Sequence, residues 1–150
     1  MRNGRLVILL VEDEENDILF VRHATEKSKA NHTLNAVHDG KEAIRYLRGE
    51  GPYADRQKFP SPNVVLTDLK MPGMNGFELL KWLRSHPECS VIPVIVYSTS
   101  RLEADVREAY RLGANSFIYK PTDLHELVDI FQTIYDYWSK CECPPMPNNC

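Results

Sequence analysis

Residues 6–14 read LVILLVEDE: six aliphatic positions in a row, closed by Glu12, Asp13 and Glu14. A short apolar run without polar alternation is the pattern of a strand buried on both faces, as in a parallel sheet. The same grammar returns twice. Val64–Thr67 runs into Asp68, and Val94–Tyr97 runs into Ser98, Thr99 and Ser100. Two mixed runs, Thr33–Val37 and Ser116–Tyr119, complete the set, the second leading into Lys120 and Pro121. Helical patterns separate all five runs. That alternation predicts an α/β fold, a doubly wound five-stranded parallel sheet with helices on both faces and the aliphatic runs at its centre.

A cap-like residue with Glu three positions on marks four helix starts: Asp39 with Glu42, Asn75 with Glu78, Ser100 with Glu103 and Asp123 with Glu126. The remaining helix is expected from about Asn16 to Ser28. In the last helix Leu124, Leu127, Val128, Phe131, Ile134, Tyr135 and Trp138 form one apolar stripe that docks on the sheet. Ile130 and Tyr137 lie off that stripe and are candidates for a partner surface. The stretch Glu50–Pro62, with Gly51, Pro52, Pro60 and Pro62, exceeds the usual ~2 to 6 residues of such connections. It reads as a recognition loop or as slack.

Composition narrows the class. The chain has 150 residues, 26% of them charged, and a net charge of −3, which suits one compact domain and gives no basic field for nucleic acid or an anionic membrane. No apolar run reaches the ~18 residues of a membrane span, and Met1–Arg5 is polar rather than signal-like, so a cytoplasmic protein is expected. Of the four cysteines, Cys141, Cys143 and Cys150 crowd the Pro-rich final residues, where no disulfide framework for the whole fold can be built. Reduced thiols are the expectation, with the tail extended along the surface or toward another subunit.

Ligands of an open parallel sheet collect at the carboxyl ends of its strands. If the first and third runs are sheet neighbours, Glu12, Asp13 and Asp68 share one edge. Carboxylates within ~4 Å repel by several kcal/mol at the effective dielectric of a protein surface, so this cluster calls for a cation. A hard divalent ion with oxygen ligands fits. Mg²⁺ needs only a few carboxylates and keeps waters for an incoming phosphate. Three carboxylates against Mg²⁺ and Lys120 leave a neutral pocket that an anion can approach. In such a pocket Asp68 is suited to attack a phosphoryl group as a carboxylate nucleophile, with Ser98 and Lys120 binding its oxygens.

Glu12-Asp13, the run Asp68-Leu-Lys-Met-Pro-Gly-Met-Asn-Gly76, Ser98 and Lys120-Pro121, in this order and spacing, resemble the receiver domain of two-component response regulators. The resemblance spans about Leu6 to Trp138. It implies a flavodoxin-like (βα)5 sheet in strand order 2-1-3-4-5 and phosphorylation of Asp68 by a sensor histidine kinase. It further implies Mg²⁺ held by Asp13, Asp68, Glu12 through water and the backbone carbonyl of Lys70, and a cis bond before Pro121. Ser98 and Phe117 take the positions of the family's switch pair, and Lys70 and Ser100 those that tune phosphate lifetime. The long loop, the aromatic last helix and the tail are similar to the stand-alone regulators that serve bacterial phytochromes, which form homodimers. On this reading residues 1–140 are the receiver, residues 141–150 a Pro/Cys tail, and no output domain follows.

Other readings share parts of this pattern. A flavin binder needs backbone donors where Glu12, Asp13 and Glu14 offer negative charge. A Mg²⁺-dependent phosphohydrolase with an aspartyl-phosphate intermediate places a second acid two residues past the nucleophile, where this chain has Lys70. A non-phosphorylated docking domain would not need the acids, the hydroxyl and the lysine together.

Overall fold

A computed structural model describes residues 4–145 and Cys150. Five parallel strands, β1 (Leu6–Val11), β2 (His32–Val37), β3 (Val64–Thr67), β4 (Val94–Ser98) and β5 (Ser116–Tyr119), pair in the order β2-β1-β3-β4-β5. The helices are α1 (Glu15–Lys27), α2 (Gly40–Arg48), α3 (Gly76–Ser85), α4 (Glu103–Arg111) and α5 (Leu124–Trp138). The three aliphatic strands β1, β3 and β4 are central and nearly all buried, while β2 and β5 form the half-exposed edges.

Side chains alternate along each strand into two cores. One, beneath α1 and α5, is built on Leu6, Ile8, Leu10, Leu66, Ile95, Leu127, Phe131 and Ile134. The other, beneath α2, α3 and α4, holds Leu9, Val11, Val65, Val96, Leu79, Leu80 and Leu83. The stripe expected on the last helix is therefore what seats α5. Of the two residues off it, Tyr137 is exposed and Ile130 is half-buried, packing partly against the α1/α5 core.

Helix starts follow the sequence grammar at three of four sites. Asp39 caps α2 through the Glu42 N–H, and Asn75 with Glu78 forms a full capping box on α3. Asp123 caps α5, its side chain accepting the His125 N–H. At α4 the expectation fails. Ser100 donates its hydroxyl to Asp105 at 2.5 Å and accepts from Leu102 N–H, so the cap moves to Leu102 and the helix begins at Glu103.

The Glu50–Pro62 loop is packed rather than slack. It contains a 3-10 turn over Gly51–Tyr53, and Tyr46, Tyr53 and Phe59 form a mutual aromatic cluster. Arg56 donates to the carbonyls of Tyr46 and Leu47, closing backbone acceptors at the end of α2.

Two expectations are corrected here. No cis peptide occurs among the described residues, so the bond before Pro121 is trans, and the Lys120 side chain reaches its acceptors in that geometry. Nor are all cysteines thiols. Cys89, between α3 and β4, is disulfide-bonded to Cys150, which returns to its own chain with a Cα separation of 5.0 Å. Cys141 and Cys143 are free.

His32 opens β2 edge-on to Phe131 and Tyr135 at 6.0 and 5.7 Å, and neither ring nitrogen makes a well-formed hydrogen bond. Burial holds its pKa below the usual 6.5, against a weaker pull from the Phe131 backbone. Its contribution is complete above pH 6.5 and is lost as pH falls through the depressed folded pKa. Urea denaturation at pH 7.5 and 5.0 is therefore expected to show a smaller acid loss of stability in His32→Phe than in the parent chain.

Candidate functional site

The carboxyl ends of β1, β3, β4 and β5 meet around one ammonium group. Parallel register sets Val11 beside Thr67 and Thr67 beside Val96. The residues just past these positions, Glu12, Asp68 and Ser98, thus come to one end of the sheet. Lys120 leaves β5 at the same end, its N–H donating to the Ser98 carbonyl at 2.9 Å. Its Nζ donates to Glu12 Oε2 at 2.7 Å, Asp68 Oδ2 at 2.7 Å and Asp17 Oδ2 at 2.9 Å. The side chain is almost wholly buried, with the Tyr97 ring 5.5 Å from Nζ.

Glu12 is fully buried, and its other oxygen accepts the Glu14 N–H. Asp68 is 8% exposed; its Oδ1 accepts the Leu69 N–H at 2.7 Å. Behind it α3 starts so close to the backbone that a Cβ on Gly76 would lie 2.1 Å from the Asp68 carbonyl oxygen, which only glycine avoids. Asp13 is half-buried. Oxygens of Glu12, Asp13 and Asp68 lie within 4.8 Å of one another, a spacing that can share one ion. Lys70 is exposed on the β3–α3 loop, which with Met71, Pro72 and Phe77 lines an open cavity of about 530 Å³ beside Asp68.

The charges explain the titration. Burial pushes the Glu12 carboxyl up to about 7, against the hydrogen bond and charge of Lys120 and the Glu14 N–H. Burial would push Lys120 down, yet its hydrogen bonds to Asp17, Asp68 and Glu12 outweigh that and hold it above the ordinary lysine value. A hard divalent cation suits the set chemically, because the convergent donors are all carboxylate oxygens.

Ser98 is buried, and its Oγ accepts the Ser100 N–H at 3.1 Å, leaving its own hydrogen free to donate. Phe117 is half-buried against the α2/α3/α4 core and edge-to-face with Tyr119 at 5.6 Å, with Arg101 stacked over the Tyr119 ring. The structure thus brings Glu12, Asp13, Asp68, Ser98 and Lys120 to one end of the sheet and keeps Phe117 one strand away. Asp17 was missed. In sequence it is one of two acids in the first turn of α1, where negative charge already has a reason in the helix dipole.

The chain matches the response regulator receiver domain over residues 8–132. It belongs to the response regulator receiver family. The receiver is 36% identical over 136 residues to response regulator Rcp1 of Synechocystis sp., covering 91% of this chain and 90% of that protein. The phosphorylated cyanobacterial phytochrome response regulator RcpA superposes with a TM-score of 0.81 at 37% identity, covering 94% of this chain and 99% of that one. Response regulator RPA3017, in red light signaling of R. palustris, gives 0.88 at 28% identity with the same coverage. Rcp1 has been solved in a Mn²⁺-bound form, at TM-score 0.78 and 34% identity, covering 93% of this chain and 99% of that one. The family binds a divalent metal, in agreement with the carboxylate triad of this receiver.

Without metal, Glu12 ionises near 7 when folded and near 4.5 when unfolded, so its term lowers stability as pH rises across that window. Divalent-ion affinity should climb with pH through about 7 and then level, and isothermal titration of Glu12→Gln should lack this step. Removing Lys120 leaves buried carboxylates unpaired. Lys120→Met should cost the metal-free fold roughly 3 kcal/mol in urea denaturation, with part of the loss recovered on adding Mg²⁺.

Proposed function

We propose that this receiver takes a phosphoryl group from a sensor histidine kinase onto Asp68 in a Mg²⁺-dependent reaction and signals through the resulting change of shape. The observation that carries the reading is Lys120 clasped by Glu12, Asp17 and Asp68 at the carboxyl ends of the strands. Asp13, Asp68, Glu12 through water and the Lys70 carbonyl would hold the ion. When bound, it offsets negative charge between Asp68 and the incoming phosphoryl group.

The chain's own residues do the rest. The Leu69 N–H orients the Asp68 carboxylate by holding Oδ1. A carboxylate oxygen forms the new bond to phosphorus while the bond from phosphorus to the donor imidazole breaks, and the imidazole keeps the electron pair. The product is an acyl phosphate on Asp68. Lys120, already 2.7 Å from Oδ2, neutralises the added charge, and the Ser98 hydroxyl donates to a phosphoryl oxygen. Ser98 moving toward that oxygen vacates space into which Phe117 turns. Modification of its own side chain is the only chemistry in this reading, so the receiver is not a conventional enzyme.

Similarity to Rcp1 and RcpA supports a phytochrome-type kinase as donor. Tyr137, 62% exposed on α5, supports a homodimer. No described helix is long and apolar enough to cross a membrane, and the acidic net charge disfavours nucleic acid; a cytoplasmic location follows from this reading.

Acetyl phosphate with Mg²⁺ is expected to add one phosphoryl group per chain by intact mass, with none added after chelation of the metal. Asp68→Asn should remain unlabelled while keeping its fold by circular dichroism. Stoichiometric label on the Asn variant would assign the acceptor elsewhere.

A further inference from the structure

Strand β4 reads Val94-Ile95-Val96-Tyr97-Ser98, an aliphatic run with a tyrosine in its next-to-last place. Side chains alternate along a strand, so Ile95 and Tyr97 enter the α1/α5 core while Val94 and Val96 enter the other. An aliphatic residue at position 97 would fill that core as its neighbours do. Tyr97 is 2% exposed, and among the described residues its hydroxyl makes no hydrogen bond, so the hydroxyl does not account for it. What the ring adds is a face. Lys120 Nζ lies over it at 5.5 Å from the centroid, inside the ~6 Å at which an aromatic face attracts a cation.

The ammonium has three hydrogens and three carboxylate acceptors, but the acceptors are unequal. The Glu12 side chain is fully buried and that of Asp68 is 11% exposed, whereas Asp17, on α1, is 40% exposed and accepts at the longest of the three distances, 2.9 Å. Water therefore competes for the Asp17 arm, and an ammonium free to follow that arm would draw away from Asp68. A ring face beside Nζ favours the inner position, because the Lys120 side chain is nearly dry and the attraction of a cation to a π face grows as water is removed. Burial also raises the Tyr97 phenol above its ordinary pKa, against the pull of Lys120, so the ring stays neutral.

We propose that Tyr97 is a positioning residue for phosphoryl transfer: the face of its ring holds the Lys120 ammonium at Asp68. Tyr97 acts through Lys120, keeping the positive charge where the phosphoryl group adds negative charge. The role deepens the phosphoacceptor reading and rests on it for its kinetic consequence.

The test compares the full chain with Tyr97→Phe, Tyr97→Leu and a chain carrying trifluorophenylalanine at position 97, where fluorine withdraws electrons from the ring face and leaves its shape nearly unchanged. Two quantities are read: the rate of Asp68 labelling by acetyl phosphate with Mg²⁺, and, in metal-free protein, the exchange of the Lys120 NH₃⁺ hydrogens with water by ¹⁵N NMR. Tyr97→Phe should match the parent chain in both. Tyr97→Leu and the fluorinated chain should label about fivefold more slowly and exchange roughly threefold faster, with native circular dichroism. A loss seen in Tyr97→Leu but not in the fluorinated chain would reduce the ring to packing and overturn the assignment, as would parent-like behaviour of both. Should Tyr97→Leu fail to fold, the fluorinated chain against Tyr97→Phe decides by itself. A parent chain that takes no label would overturn the phosphoacceptor reading, and the ammonium exchange would still decide whether the ring holds Lys120.

Discussion

One ammonium group surrounded by carboxylates organises the carboxyl end of this sheet. Lys120 reaches Glu12 from β1, Asp17 from α1 and Asp68 from β3, so a single side chain from an edge strand ties three elements together. With Asp13 alongside, four carboxylates face one ammonium, and the surplus negative charge has two outlets. Glu12 favours its protonated form, raised to about 7 by burial, or a divalent ion takes the place of that proton. The site is thus poised to exchange a proton for a cation near neutrality.

The scaffold keeps that cluster in place with little freedom. Three central strands buried on both faces fix Glu12, Asp68 and Ser98 relative to one another, and the tight start of α3 at Gly76 pins the Asp68 backbone. Two further features of the chain lie away from it. The Glu50–Pro62 loop closes the end of α2 through Arg56, and Cys150 is bonded to Cys89 ahead of β4, at the opposite end of the sheet. Both lie away from the Asp68 end of the sheet.

How far the sequence could be read depended on how local the cause was. The central strands were legible because an unbroken aliphatic run has few alternatives, and Asp68 and Ser98 because each directly follows such a run, while Lys120 follows the mixed run Ser116–Tyr119. Asp17 was hidden by having a sufficient local explanation as a first-turn acid. The start of α4 was misread because the Ser100 hydroxyl prefers Asp105, a competition between two polar acceptors that spacing does not reveal. The Cys89–Cys150 link spans 61 residues, a separation that no local pattern encodes.

The most direct test of the carboxylate clasp is proton-detected ¹⁵N NMR of the lysine ammonium groups at pH 7 in metal-free protein. Three acceptors and near-complete burial predict that the Lys120 NH₃⁺ signal is protected from exchange and separately resolved, that it shifts on adding Mg²⁺, and that it disappears in Lys120→Met. A Lys120 ammonium that exchanges as fast as the surface lysines, and does not respond to Mg²⁺, would contradict the account.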